Sequence, residues 1–203
     1  MSLRALLTHP VLWVSLVLCG LTALWLALGA PVGLITQIAI YTLYGMGVNL
    51  LVGYTGLVPF GASVFFGCAS YAAAFFVLGR ISGDLGGIVL STVFSLALGL
   101  VLGALILRRK GLYFSLLTLA CSQIAFEVAF KWTAVTGGEN GLQGVARPSF
   151  PSDLGFHGFV IACVLAGVWL LWRILHAPFG RALQAVRDNE QRARSLGFNV
   201  YLL

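Results

Sequence analysis

Glu127 is the acidic residue set inside a long apolar run of this sequence, and a carboxylate in that setting is a candidate for ion coupling or substrate selection. Gln123 stands one helical turn before it and Lys131 one turn after. The first spacing aligns a second polar group with the carboxylate, whereas the second makes an ordinary i,i+4 Glu–Lys pair at a helix end. A further polar set, Asn49, Tyr54, Thr55 and Ser63, is interleaved with Gly53, Gly56, Gly61 and Gly67. Such glycines permit close helix packing. They also permit non-helical backbone, which survives at membrane depth only beside protein or a water-filled cavity. On the second reading Asn49, Gly53, Thr55 and Gly56, together with Gln123 and Glu127, belong to a translocation path.

Other chemistry is poorly supplied. Cys19, Cys68, Cys121 and Cys163 each fall in a different apolar run, with no CxxC and no Cys/His grouping. They read as small packing residues, without a disulfide framework or a metal site. His9, His157 and His176 stand isolated near run ends. No nucleophile–base pair or metal-ligand set is assembled, so no catalytic or metal-binding residue is assigned and the chain reads as a non-enzyme. The glycine-rich stretch Thr136-Gly137-Gly138-Glu139-Asn140-Gly141-Leu142-Gln143-Gly144 invites comparison with phosphate cradles, but no Lys-Ser or Lys-Thr follows it. No Walker A pattern occurs anywhere, so ATP-driven work would need a separate ATPase chain.

The most charged segment runs from Pro178 to Gly197. Ala182, Val186, Asn189, Ala193 and Leu196 recur at three- and four-residue steps, which predicts one short helix with these residues on a single face. Arg181, Gln184, Asp188, Gln191, Arg192 and Ser195 fall on other faces. A small-residue stripe flanked by charges suits docking in a groove of another protein. The alternative is an amphipathic helix on anionic lipid, although the stripe is weakly apolar and carries no Trp or Phe.

These residues must be positioned by a framework that water cannot solvate. Sixty per cent of the 203 residues are hydrophobic and 9% are charged, against about 25% charged in soluble domains. Six stretches reach the ~20 residues that cross a hydrocarbon core: 11–29, 33–52, 57–78, 85–107, 112–130 and 156–175. A seventh begins at Val200. Each is longer than a strand and lacks period-two alternation, so the fold class is all-α, a polytopic transmembrane helix bundle rather than a barrel. The first stretch exceeds the usual ~7–15-residue core of a signal peptide and is read as a retained span.

With the N-terminus cytoplasmic, Arg4, Arg108, Arg109, Lys110, Arg173, Arg181, Arg187, Arg192 and Arg194 lie inside, and Arg80, Lys131 and Arg147 outside. That asymmetry agrees with the positive-inside rule and accounts for the net charge of +6 without nucleic acid. Residues 176–199 are then a cytoplasmic loop and residues 131–155 an outer loop.

Several segments, in order, resemble the membrane permeases of branched-chain amino acid ABC transporters. They are Asn49-Leu50-Leu51-Val52-Gly53-Tyr54-Thr55-Gly56-Leu57; Arg109-Lys110-Gly111-Leu112-Tyr113-Phe114 with Thr118-Leu119-Ala120; Thr136-Gly137-Gly138-Glu139-Asn140-Gly141-Leu142; and Pro178-Phe179-Gly180-Arg181-Ala182-Leu183 with Arg187-Asp188-Asn189-Glu190 and Leu196-Gly197. The similarity runs roughly from Ile35 to Leu203.

The resemblance implies a single permease domain over 1–203 in a bacterial inner membrane. It implies pairing with a second homologous permease, two cytoplasmic subunits that bind ATP and Mg, and an external substrate-binding protein. Arg181–Gly197 matches the family's coupling loop. The ATPase contact is expected at Arg181, Val186, Arg187, Asp188, Asn189, Glu190, Ala193, Leu196 and Gly197, with Arg187, Asp188 and Glu190 foremost. Outer-loop positions carried over are Thr136, Gly137, Gly138, Asn140 and Gly141.

Two departures bear on function. Family members commonly read Ser-Phe-Gly-His where Pro59, Phe60, Gly61 and Ala62 stand here, which leaves urea or short amides as an alternative substrate class. Family members also continue through further helices beyond the position of Leu203, so the chain is expected to be C-terminally incomplete. A self-contained secondary transporter or channel, using Glu127 and Gln123, is the competing reading.

Overall fold

The computed structural model describes residues 10–29, 31–79, 83–107, 111–145 and 150–197. The start of a seventh span at Val200 lies outside the described residues. So do His9 and the bases Arg4, Arg80, Arg108, Arg109, Lys110 and Arg147 of the orientation count. All described regular structure is helical. The elements are α1 (Pro10–Ala27), α2 (Val32–Asn49), a π turn (Leu50–Thr55), α3 (Ser63–Leu78), α4 (Asp84–Ile106), α5 (Leu112–Lys131), α6 (Thr133–Thr136), a 3-10 turn (Gly138–Asn140), α7 (Asp153–His176), α8 (Pro178–Asp188) and α9 (Glu190–Ser195).

Every one of the six apolar runs is helical, but they are not equivalent. Among the described residues, four helical segments are long and apolar enough to cross a membrane: Val32–Thr55, Leu85–Ile106, Leu112–Lys131 and Asp153–His176. The apolar helices Trp13–Trp25 and Ser63–Leu78 are shorter. The expected third span, 57–78, loses its first turn because Gly56 adopts φ 72° and the helix starts only at Ser63. Pro59 has no amide hydrogen to donate to a helix there.

The chain divides into two compact units, Met1–Gly56 with Ser152–Leu203, and Leu57–Pro151. In the first, α7 packs on α1 and α2. Val160, Val164 and Val168 recur at four-residue intervals, which aligns them on one face. They join Leu18 and Ala39 in a buried core, flanked by Leu43 and Met46. Ser152 caps α7, its Oγ accepting from Gly155 N at 3.1 Å. Ala177 alone separates α7 from α8, and Pro178 occupies the first helical position of α8, where its missing amide hydrogen costs nothing.

In the second unit α3 packs against α4 and α5. Of the apolar stretch of α4 only 6% is buried inside the structure. Val89, Val93, Leu96 and Leu100, at helical spacing, are each at least 60% exposed. An outward stripe of this kind fits hydrocarbon as its solvent.

Candidate functional site

The site begins where α2 stops being regular. Over Leu50–Thr55 the backbone widens to the π repeat, and it ends at Gly56 in the left-handed region, whose N–H bonds the Leu51 carbonyl. π turns inside helices occur frequently at functional sites. The last carbonyls of a helix have no partner within it. At Gly53 the partner is Arg187 of α8, whose Nη1 donates to the Gly53 carbonyl oxygen. A cation at this helix end also matches the negative pole of the helix dipole. Asp188 Oδ1 accepts from Arg187 Nε at 3.1 Å and Nη2 at 2.9 Å, which leaves Nη1 for Gly53. The arginine stem lies against Gly56, where an added Cβ would come within 2.8 Å of Arg187 Cγ. Thus Gly53 and Gly56, expected in a path, and Arg187 and Asp188, expected at a partner contact, form one cluster. Thr55 turns its hydroxyl to the Leu51 carbonyl at 2.6 Å, and Asn49 remains exposed.

The charged segment is two helices and not one. Asn189, placed by periodicity in the middle of a stripe, has φ −159° and ψ 99°, and its side chain accepts from Arg192 N at 2.9 Å. It is the N-cap of α9, the role for which asparagine is among the best residues. The stripe is also differently oriented from the expectation. Ala182 and Ala193 are buried within this chain, whereas Leu196 is 71% exposed. The chain's own residues thus cover Ala182 and Ala193 of the stripe, while Asn189 and Leu196 stay exposed. Outward lie Arg181, Asp188, Gln191, Arg192, Ser195 and Gly197. Val186 and Glu190 are half-buried, and Glu190 pairs with Arg194 at 2.6 Å.

In the second unit the segment after the π turn docks on α5 through side chains whose role the sequence did not announce. The Ser115 hydroxyl donates to the Val58 carbonyl at 2.6 Å. Thr118 Oγ1 donates to the Ser115 carbonyl at 2.8 Å and accepts from Phe60 N at 3.1 Å and Gly61 N at 3.4 Å. Each lone pair and proton is used as the hydroxyl inventory allows. The signal available was two hydroxyls three residues apart in the mostly apolar N-terminal half of α5.

A cavity of about 960 Å³ opens between α3, α5 and the loop after α5, with walls that include Phe75, Phe76, Phe126 and Phe130. Thr136, Gly138, Asn140 and Gly141 of that loop line it. Gly137 shapes that loop, since φ 77° and a Cβ only 2.2 Å from the Gly141 oxygen leave room for glycine alone. Glu127 does not line this cavity. Its carboxylate pairs with Lys131 Nζ at 2.8 Å on an exposed face of α5, and Gln123 stands one turn before it.

His157 is not isolated, contrary to its place near a run end. It is buried, with Nε2 3.2 Å from Thr22 Oγ1 on α1 and Nδ1 2.9 Å from Thr36 Oγ1 on α2. Both threonines also donate to carbonyls one turn back, Leu18 and Val32. The imidazole thus ties three helices at the polar end of the unit. His176 Nδ1 meets only its own helix, at the Trp172 carbonyl, 2.9 Å away.

The comparisons with known proteins agree with this architecture. The family model for the permease component of branched-chain amino acid transport systems matches residues 30–203. A high-affinity branched-chain amino acid transport system permease protein LivM of Salmonella typhimurium is 28% identical over 225 residues, covering 97% of this chain and 51% of the relative. Its namesake in Escherichia coli is 27% identical with the same coverage. A probable branched-chain amino acid transport permease protein LivM of Methanocaldococcus jannaschii is 27% identical over 128 residues, 59% of this chain and 37% of that protein. The chain spans about half the length of the first two relatives. No solved structure matches it.

Proposed function

Because this chain belongs to the family of permease components of branched-chain amino acid transport systems, we propose that it is a membrane-spanning subunit of an ATP-binding-cassette importer. Its substrates are branched-chain or related amino acids, carried across a bacterial inner membrane. The observation that carries this reading is the family match, which runs continuously from residue 30 to residue 203.

On this reading a second, homologous permease completes the path. Two ATP-binding subunits hold ATP and Mg and dock on the α8–α9 segment, and an external binding protein delivers substrate. The outward charges Arg181, Asp188 and Arg192 support an electrostatic contact there, which steers partner choice more than it adds affinity. The predominantly aromatic and aliphatic lining of the cavity beside α3 and α5 supports a substrate with an aliphatic side chain over urea or a short amide.

Co-purification tests the proposal. A tagged chain extracted from its own membranes in mild detergent is expected to retain an ATP-binding subunit. The double charge reversal Arg181→Glu/Arg192→Glu is expected to release it. Extraction of the chain with no nucleotide-binding partner, under conditions that keep it folded, would contradict the reading.

A further inference from the structure

We propose that Arg187 is a positioning residue: it is the strut through which α8 sets the conformation of the π turn Leu50–Thr55, and so of the glycines beside it. The inference goes beyond docking of a partner, since the groups concerned all belong to this chain. It takes its role in transport from the reading of α8–α9 as the coupling segment.

Three features of the geometry converge. The first is the bond from Nη1 to the Gly53 carbonyl, which satisfies an acceptor left over at a helix end. The second is the clamp on the remaining guanidinium nitrogens by Asp188 Oδ1, at 3.1 and 2.9 Å. It fixes the plane of the donor fork, so Nη1 stays aimed when the side chain would otherwise sample many rotamers. The third is steric. The stem rests where a Cβ on Gly56 would stand, 2.8 Å from Arg187 Cγ, and Gly56 itself holds φ +72°.

The turn that this strut holds is one that can change. A π turn carries one residue more per hydrogen-bonded ring than an α turn, so conversion to α spacing releases one residue from the ring and shifts the register of the backbone at its end. Thr55 and Gly56 are the residues at that boundary. Displacement of α8 withdraws the donor from Gly53 and the stem from Gly56 together, and the turn is then free to re-register. A push on the charged segment thereby reaches backbone at the end of a span, with no need for a long chain of intermediates.

Hydrogen exchange on the intact, detergent-solubilised chain tests this without any ATPase. Arg187→Met keeps the stem and removes the donors. It is expected to speed amide exchange across residues 51–56 by about tenfold or more, in keeping with loss of a charge-assisted bond. The amides of Val160–Val168 should be unchanged. Arg187→Lys, which keeps a donor, should restore part of the protection. Asp188→Ala, which only unclamps the arginine, should give a smaller increase of the same pattern, and it serves as the readout if Arg187→Met fails to fold.

In the assembled transporter, Arg187→Met should carry less substrate per ATP hydrolysed. Unchanged exchange at 51–56 in Arg187→Met or, where that variant does not fold, in Asp188→Ala would overturn the proposal. So would loss of the ATP-binding subunit with exchange unaltered, since Arg187 would then be a docking contact. Because exchange is read on this chain alone, failure of the importer reading and failure of the strut remain distinguishable.

Discussion

A side-chain carbon on Gly61 would sit 1.8 Å from the carbonyl oxygen of Thr118. The obstacle is backbone, so no rotamer can relieve it. Gly61→Ala is therefore expected to lower stability by about 1–3 kcal/mol, as other overpacked sites do. Thermal unfolding in detergent measures this, with Gly67→Ala, which meets nothing within 4 Å, as the unaffected control.

Thr118→Val keeps the shape of the side chain but leaves the Phe60 and Gly61 amides without the acceptor they share. The expected cost is about 1–3 kcal/mol, the penalty for buried donors left unpaired. Thr118→Ser, which keeps the oxygen, should recover most of it. Loss in Thr118→Ser with none in Thr118→Val would point to the methyl group instead.

The His157–Thr36 contact, 2.9 Å between buried partners, crosses from α7 to α2. A double-mutant cycle with His157→Phe and Thr36→Val should return a coupling of about 0.6 kcal/mol, with about 1.7 kcal/mol as the ceiling for such bonds in membranes. Zero coupling would mean that this hydrogen bond does not help to hold α7 on α2.

Asn189→Ala removes the cap of α9 and is expected to destabilise that helix by about 1 kcal/mol. The effect should be local: faster exchange at residues 190–195, with α8 unaffected. Asn189→Asp, which caps equally well, should leave exchange unchanged.

The Glu127–Lys131 pair is exposed, with side chains 45% and 77% accessible, and exposed pairs contribute little. Lys131→Met should leave the unfolding midpoint where it is, and Glu127→Gln should leave transport intact. Loss of transport in a stable Glu127→Gln protein would assign the carboxylate to the path.

The helices were legible because apolar run length is a direct consequence of the solvent, and Val32, Leu85, Leu112 and Asp153 each open a segment of spanning length close to its expected start. The missing first turn of α3 was not legible, since Leu57, Val58 and Phe60 are as apolar as any helix residue. Only the backbone of Gly56 and the ring of Pro59 divert the chain. The π turn leaves no mark in composition at all. In the charged segment, periodicity puts Ala182 and Ala193 on one face of a single helix, whereas the break at Asn189 places them on two, both alanines buried. The capping signal of Asn189, followed at once by Glu190, was submerged in that stripe. The resemblance singles out Arg187 as a contact residue, but its partner Gly53 lies 134 positions away, beyond anything local spacing can report.

The central claim is that this chain does its work as part of an ATP-driven permease. Uptake of labelled leucine, isoleucine or valine into proteoliposomes holding the assembled complex tests it most directly. The expected result is accumulation that requires this chain and ATP and that persists when an ionophore collapses every ion gradient. Accumulation that follows an imposed ion gradient with no ATPase present would contradict it.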